Sequence, residues 1–518
     1  MKVSGPKYHK SIPRIRSIKW RQTMGLSIQT NSWIPNPGLW MHSGRRFKCE
    51  EMEKFDAIII GSGQAGNPLA QRLSGAGKRV ALVEWAYVGG TCINDGCTPT
   101  KTLVGLAKTI AQARKAVDYG IALRNDIPDF KRISQRKDEV VRTYRDQLEK
   151  GLHDDVNIAV FHGEGRFSGY KEVVVKQANL TDKFLTADLI YINTGLRARI
   201  PAIEGLNSVP FLTSDSLLAI DHLPKELIMI GGGYISLEFA QIFRRLGSQV
   251  TLIEQSERLL PKEDEDVGRE IARILEAEGV KIMTGSETQR VWADSDESVQ
   301  VEIRSAGKLH TLSGSDLLIA TGRTPNTADL ELPNTGIQVD ENDFIPVDDY
   351  LETSVPGIYA LGDVKGGPAF THVSYHDYLV LVENLLNKNP TSIRHRLIPY
   401  CLFIDPELGR VGLTEREAGE MGLDFSVAKM ETSFIARAVE VDETAGFIKA
   451  IIDNGTKKIL GAAIISPNGG ELMSLLQVAM MGGLTYDQLR DTMFAHPTYA
   501  EAINNLFHPA QIKPRDKS

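Results

Sequence analysis

The chain has 518 residues, a formal charge of −7 and a pI near 6.0, with 42% hydrophobic and 24% charged residues. This balance predicts an ordinary soluble globular protein with ample core, divided by its length into about three or four structural units. It argues against a general nucleic-acid binder, which needs a basic surface, and no unbroken apolar run reaches the roughly 18 residues of a membrane span.

The first fifty residues stand apart. They carry ten Lys or Arg and one acid, Glu50, a surplus of nine positive charges that leaves the rest of the chain at −16 against −7 for the whole. No apolar h-region is present, which argues against a secretory signal. The segment 1–51 is expected to be a dispensable or disordered extension; an organellar transit peptide and a translation artefact before Met52 are the other readings. The four cysteines are too few for a disulfide scaffold and suit a reducing, cytoplasmic compartment, or an organelle if the basic segment is a transit peptide.

From Phe55, "FDAIIIGSGQAG" predicts a short buried strand, a Gly-rich turn and a helix over "NPLAQRLSGAG", followed by a second strand, "KRVALVE", ending in Glu84. This is a β-α-β unit. The pattern returns at Glu226–Glu254, "ELIMIGGGYISLEFAQIFRRLGSQVTLIE". Two further stretches, "EVVVKQANLTDKFLTADLIYINTG" and "VQVEIRSAGKLHTLSGSDLLIATGRTPN", predict antiparallel strands returning to a buried strand that ends in Thr-Gly. From about Ile393 a separate α+β module is expected, with alternating strands, an amphipathic helix at "GGELMSLLQVAMMGG" and a last helix after "HPTYAEAINNLF"; the tail "HPAQIKPRDKS" is expected to fray.

The two Gly-rich turns read as phosphate cradles. In the first, Gly61 permits the tight turn, Gly63 lets a diphosphate approach the backbone, and Gly66 lets helix and strand pack closely. The free N–H groups and dipole at the helix start favour an anion there. Glu84 ends the next strand, where a carboxylate bonds a ribose hydroxyl. In the second cradle Gly231 and Gly233 are in place and Ser236 takes the third glycine position. Glu254 would bond the 2′-hydroxyl of NAD and repel the 2′-phosphate of NADP, so NADH is favoured over NADPH, with Arg258 close enough to soften the preference.

Cys92 and Cys97 lie five residues apart. On an ideal helix the rise alone is about 7.5 Å, beyond the usual limit of about 6.8 Å between the α-carbons of a disulfide. A joined pair therefore needs an irregular backbone, and Asn94, Asp95 and Gly96 tolerate one. A helix would then start near Cys97, with Pro99 in its first turn, and a thiolate at that start would be more acidic and more reactive. A structural disulfide, half of a zinc site and two unrelated buried cysteines compete with a redox-active pair. No second Cys or His pair has metal-like spacing, so no metal site is assigned.

These stretches, together with "GGGYISLE", "ATGRTPN", "IYALGDV" and "HPTYAE", occur in the order found in the pyridine nucleotide-disulfide oxidoreductases, and the chain resembles that family from Met52 to about Phe507. Its flavoproteins include dihydrolipoamide dehydrogenase, glutathione reductase and mercuric reductase; "GCTPTKTLV" and "DPELGRVGLTE" are most similar to the mercuric-reductase-like branch. The resemblance implies an α/β fold of two Rossmann-like domains, one for FAD and one for NAD(P), and a C-terminal α+β dimerisation domain. The boundaries implied are 52–196 and 323–392 for the two parts of the FAD domain, 197–322 for the NAD(P) domain and 393–518 for dimerisation.

The same resemblance implies roles for single residues. The first cradle holds FAD, Asp363 bonds the ribityl chain, and the second cradle holds the nicotinamide nucleotide with Tyr234 shielding the flavin. Lys101 and Glu238 form an ion pair beside the ring. Cys97 faces the flavin and Cys92 exchanges with the substrate. His496, oriented by Glu501, is the acid-base of the partner subunit's site in a homodimer. Thr91, Thr194, Gly195, Gly322 and Gly362 fall in the matching stretches as further cofactor contacts. The implied activity is NAD(P)H oxidation with electrons delivered through a Cys92–Cys97 disulfide to a disulfide or metal-ion acceptor. Dithiol oxidation with NAD and a slow-turnover redox sensor are the alternatives. Outer cysteines that pass mercury inward are absent near the C-terminus, while a His-Glu pair suited to disulfide exchange is present. This argues against mercury as the physiological acceptor, although the inner dithiol could still reduce it.

Overall fold

The structure is a computed structural model that describes residues 52–122, 128–178, 180–296 and 298–515. The basic extension, Cys49 included, lies outside the described residues.

Strand Glu53–Ile60 sits in a sheet whose order runs Ile158–His162, Val80–Glu84, Glu53–Ile60, Lys183–Ile192, Glu172–Lys176, Glu164–Gly169. The first four are parallel, and the last two turn back antiparallel. Strand Ile358–Ala360 joins this sheet beside Lys183–Ile192, so the chain leaves it and returns more than 150 residues later. Alternate side chains of "AIII" serve opposite faces. Ile58 and Ile60 pack with Val83 and Ile192, whereas Ala57 and Ile59 pack with Leu69, Leu82 and Leu361. All are buried, as a parallel sheet covered on both faces requires.

The second β-α-β unit repeats this design. Its four-stranded parallel sheet has the order Lys281–Met283, Gln249–Ile253, Glu226–Ile230, Asp316–Ile319. Leu227 and Met229 face one core and Ile228 and Ile230 the other. The expected antiparallel excursion is present as Ser286–Ala293, Val299–Ser305 and Lys308–Gly314.

The C-terminal module is a six-stranded antiparallel sheet with helix Gly469–Met481 packed against it through Leu472, Met473, Leu476 and Ala479. Its tail departs from expectation. Instead of fraying, Ile512–Pro514 pairs with Phe425–Glu431, and Arg515 sits over the Phe425 ring. The open edge of that strand offers unpaired backbone groups, and the tail satisfies them.

A buried cation joins the second unit to this module. The ammonium of Lys449, 1% exposed, lies 2.9, 2.7 and 2.7 Å from Asp264, Asp266 and Glu415. Those three carboxylates are close enough together to hold a metal ion, and the lysine fills their centre. Uncompensated, they could not share a buried site; the cation offsets their repulsion.

Candidate active site

The cysteines lie where the helical backbone breaks. Helix Gly90–Asn94 carries Cys92; Asp95 (φ −137°, ψ 18°) and Gly96 (φ −139°, ψ −112°) leave helical geometry; helix Cys97–Lys115 begins at the second cysteine with Pro99 inside its first turn. Asn94 braces the break. It is buried, and its amide donates to the carbonyls of Tyr87, Val88 and Gly90, while its oxygen accepts from Arg145. Both cysteines are free thiols, Cys92 half-buried and Cys97 exposed.

A single hydroxyl spans the two sulfurs: Thr371 Oγ1 is 3.1 Å from Cys92 Sγ and 3.3 Å from Cys97 Sγ. The Cys97 thiol is held down to about 6, first by the hydrogen bond from Cys92 and then by Thr371 and Lys101, against the loss of solvent that the protein around its open side imposes. Cys92 is pushed far up, by that same bond and by burial. The pair therefore loses its first proton from Cys97. One turn along the helix, Lys101 Nζ meets both oxygens of Glu238 at 2.9 and 2.7 Å. Glu238 is 3% exposed and also accepts from the Phe403 backbone N–H. These contacts offset the desolvation of a carboxylate taken out of water.

The remaining predicted residues surround this centre. Tyr234 opens helix Tyr234–Leu246 and packs its ring 6.1 Å from Phe370, next to Thr371. Arg323 bonds Asp363 at 3.3 Å. Burial lifts the Asp363 carboxyl above its ordinary range, against the pull of Arg323 and Lys365. Asn193 links the first cradle to this end of the site: its amide donates to the Gly61 carbonyl, and a Cβ at Gly362 would lie 3.1 Å from its oxygen. Thr194 and Gly195 are locked to Asn326 by three hydrogen bonds, and Gly322 accepts from the Arg199 N–H. Thr91 sits on the short helix beside Cys92, its carbonyl accepting from Asp95.

The first cradle meets the steric test for a bound diphosphate. A Cβ at Gly61 would lie 2.3 Å from the Asn193 carbonyl, at Gly66 2.2 Å from the Gly61 carbonyl, and at Gly90 2.8 Å from Gly63 Cα. The backbone is packed tightly at the turn, with the helix Gly66–Gly75 beginning there. Glu84 is buried and turned onto the cradle, accepting from the Ser62 N–H and hydroxyl and from the Ala86 N–H. A carboxylate has about four acceptor positions, so Glu84 is already oriented and keeps one free for a further donor such as a ribose hydroxyl. In the second cradle Glu254 accepts from the N–H groups of Gly232 and Ser256. Arg258 bonds the carbonyls of Pro261 and Glu263.

His496 and Glu501 are brought together, Nδ1 to Oε2 at 2.9 Å, with His496 well exposed. None of the hydrogen bonds these two residues make reaches the cysteines of the same chain.

The match to known families agrees with this geometry. Residues 55–377 match the pyridine nucleotide-disulphide oxidoreductase family, and residues 398–507 its dimerisation domain. The chain belongs to the pyridine nucleotide-disulfide oxidoreductase family. It is 39% identical to the probable pyridine nucleotide-disulfide oxidoreductase RclA of Escherichia coli, over 88% of this chain and 99% of that one. A mercuric reductase of Lysinibacillus sphaericus is 34% identical (87% and 82% covered), and the dihydrolipoyl dehydrogenase of Bacillus subtilis 32% (87% and 96%). Among solved structures, a Cu(II) complex of the HOCl-induced flavoprotein disulfide reductase RclA from E. coli superposes with a TM-score of 0.81 at 38% identity, covering 88% of this chain and 99% of that chain. As a member of this family the chain is an oxidoreductase of the flavoprotein disulfide reductase kind, with two nucleotide-binding units and a C-terminal dimerisation unit. No helix among the described residues is long and apolar enough to cross a membrane.

Thr371, Phe370, Arg323 and Asn193 were not singled out by sequence reasoning. Asn94 was named only as a turn-forming residue; that its side chain braces the break was not foreseen. Thr371 had only a weak signal, a hydroxyl residue opening a helix after a Gly-Pro stretch, with nothing to relate it to cysteines some 275 positions earlier.

Proposed function

We propose that Cys92 and Cys97 cycle between a disulfide and a dithiol, with NADH as the electron source and a small disulfide or a metal ion as the acceptor. The observation that carries this reading is the placement of both sulfurs on the Thr371 hydroxyl at a helix break, one turn from the Lys101–Glu238 pair. Overall, a hydride equivalent from the nicotinamide breaks the S–S bond and leaves a Cys92 thiol and a Cys97 thiolate. FAD, when bound, supplies the relay between a two-electron hydride donor and the sulfurs.

In this reading Gly61, Gly63, Gly66, Glu84 and Asp363 hold the flavin nucleotide, with Thr91, Thr194, Gly195, Gly322 and Gly362 lining its path. Lys101, held in place by Glu238, offsets negative charge beside it. Gly231, Gly233 and Glu254 hold the nicotinamide nucleotide, and Tyr234 covers the space it enters. The Glu254 carboxylate supports NADH over NADPH, and Arg258, engaged with carbonyls of its own loop, leaves that preference standing. Cys92 attacks the acceptor.

His496, with Glu501 fixing its Nδ1, moves the proton at the partner's pair in a homodimer. Exposed Phe434, Val478, Met481 and Met493 on the C-terminal module support such an interface. The proposed division is 52–196 and 323–392 for the FAD unit, 197–322 for the nicotinamide unit and 393–518 for the dimerising unit. The shared sheet of Glu53–Ile60 and Ile358–Ala360 supports the split first unit. The copper(II) in the RclA structure adds that ion to the acceptors worth testing beside mercury(II).

The test is turnover of NADH and NADPH with lipoamide, glutathione disulfide, mercury(II) and copper(II). Cys92→Ser is expected to keep bound flavin and lose turnover with every acceptor. Full turnover in that variant would remove Cys92 from the chemistry. A preference above about tenfold for one acceptor, roughly 1.4 kcal/mol at the transition state, assigns the subfamily.

A further inference from the structure

We infer that Thr371 is a positioning residue that holds the reduced cysteine pair and stabilises its thiolate against the disulfide. The inference rests on the redox role proposed for Cys92 and Cys97. Two helix starts meet at these sulfurs: Cys97 begins a 19-residue helix, and Thr371 begins the 15-residue helix Thr371–Leu385. Both positive ends favour an anion between them. The Thr371 hydroxyl lies within hydrogen-bond reach of both sulfurs. A hydroxyl has one hydrogen and two lone pairs, so it donates to one sulfur at a time while remaining able to accept from the other. With Cys97 ionised it donates to the thiolate, a charge-assisted bond about twice as strong as a neutral one. In the disulfide neither sulfur is charged, and that gain vanishes. The hydroxyl therefore favours the dithiol over the disulfide.

The ionisable groups facing Cys97 are Cys92 on the preceding helix, Lys101 on its own helix and Glu238 on Tyr234–Leu246. Lys101 is gripped by both oxygens of Glu238, so most of its field at the sulfur is cancelled by an equal charge beside it. What remains is short-range: the Cys92 thiol, the Thr371 hydroxyl and the two helix starts.

Thr371 is itself held from behind. The ring of Phe370 stacks on both His372 and Tyr400, each at 5.4 Å and 9°. His372 bonds the Pro399 carbonyl at 2.7 Å, and the Tyr400 hydroxyl bonds Glu263. The segment before the threonine is thus pinned to the C-terminal module and to the nicotinamide unit. A side chain so fixed meets the thiolate already in place, where a mobile one would first have to be ordered.

The experiment compares full-length wild type, Thr371→Val and Thr371→Ser, each reduced, by iodoacetamide alkylation against pH. Wild-type alkylation is expected to titrate near pH 6, slowing as the pH falls below it. Thr371→Val, isosteric but without the hydroxyl, should move that midpoint up by about one pH unit. In glutathione redox buffers it should shift the disulfide–dithiol equilibrium about tenfold toward the disulfide, about 30 mV. Thr371→Ser should restore both. A valine variant with the wild-type profile, or a serine variant shifted as far as the valine, overturns the inference, the second result assigning the effect to packing. Thr371→Ala replaces the valine variant if that chain does not fold. An unshifted valine variant alongside an inactive Cys92→Ser leaves the redox reading intact; a fully active Cys92→Ser removes that reading whatever Thr371 does.

Discussion

The two Gly-rich cradles are near-copies at their first glycine and part company at their third. Gly61 and Gly231 have φ of +101° and +110°, and a Cβ at either would lie 2.3 or 2.4 Å from a carbonyl of the strand that returns beside it, Asn193 or Ala320. At the third position the first cradle has Gly66, closed on the Gly61 carbonyl. The second has Ser236, fully buried, whose hydroxyl has no hydrogen-bond partner. The first turn is also braced by the Asn193 amide on Gly61, whereas the corresponding Ala320 has no side-chain amide to offer. A turn braced by Asn193 and closed by a third glycine suits a nucleotide that stays, and a turn with neither suits a nucleotide that must leave after each turnover.

Substitutions at matching positions can break this comparison. The largest effect is expected from Gly61→Ala and Gly231→Ala. A left-handed non-glycine backbone alone costs about 1–3 kcal/mol, and the backbone clash adds to it. Affinity at each cradle should fall about a hundredfold, at about 1.4 kcal/mol per tenfold. Gly61→Ala should purify without flavin colour. Gly231→Ala should stay yellow while losing NADH oxidation at working concentrations. Equal flavin loss in both would mean the cradles do not hold different nucleotides.

Next comes Gly66→Ser, which copies the second cradle into the first. Its Cβ would meet the Gly61 carbonyl at 2.2 Å and the Asn193 amide at 2.8 Å. Flavin retained through dialysis should drop at least about tenfold; unchanged retention would show that the third glycine is not what the tight cradle needs.

The carboxylates separate the cradles by chemistry. Glu254→Ala should lower the NADH to NADPH ratio of kcat/KM about tenfold, and Glu84→Ala should leave that ratio alone while loosening flavin. The smallest effect is expected from Ser236→Ala. Deleting a buried hydroxyl without a partner should raise stability by about 1 kcal/mol in calorimetric unfolding, with KM for the nucleotide little changed. A loss of stability would mean that the hydroxyl has a hydrogen-bond partner in solution.

Much of this molecule was legible along the chain because its signals are local. A Gly-rich turn between a buried strand and a helix, with an acid closing the next strand, is a spacing rule within about thirty residues. Helix rise required a break between Cys92 and Cys97 only for a joined pair, and the three turn-forming residues between them allowed one; the structure has the break with both cysteines free. The tail was misread because its partner strand, Phe425–Glu431, lies some 85 positions away and only pairing makes an edge worth covering. Lys449 was silent for the same reason: a lone lysine in an apolar strand shows its purpose only when Asp264, Asp266 and Glu415 arrive around it.

The amino-acid order by itself determined the two nucleotide units, the turn-forming stretch between the cysteines and the residue types that chemistry there demands, since each depends on neighbours a few bonds away. Only the tertiary structure decided that Thr371 spans both sulfurs, that Glu238 neutralises Lys101 from another helix, and that Asn193 braces the cradle at Gly61. Hydrogen bonds and ion pairs act over a few ångströms of space, and those ångströms are set by how the sheets and helices pack, which no spacing along the chain records.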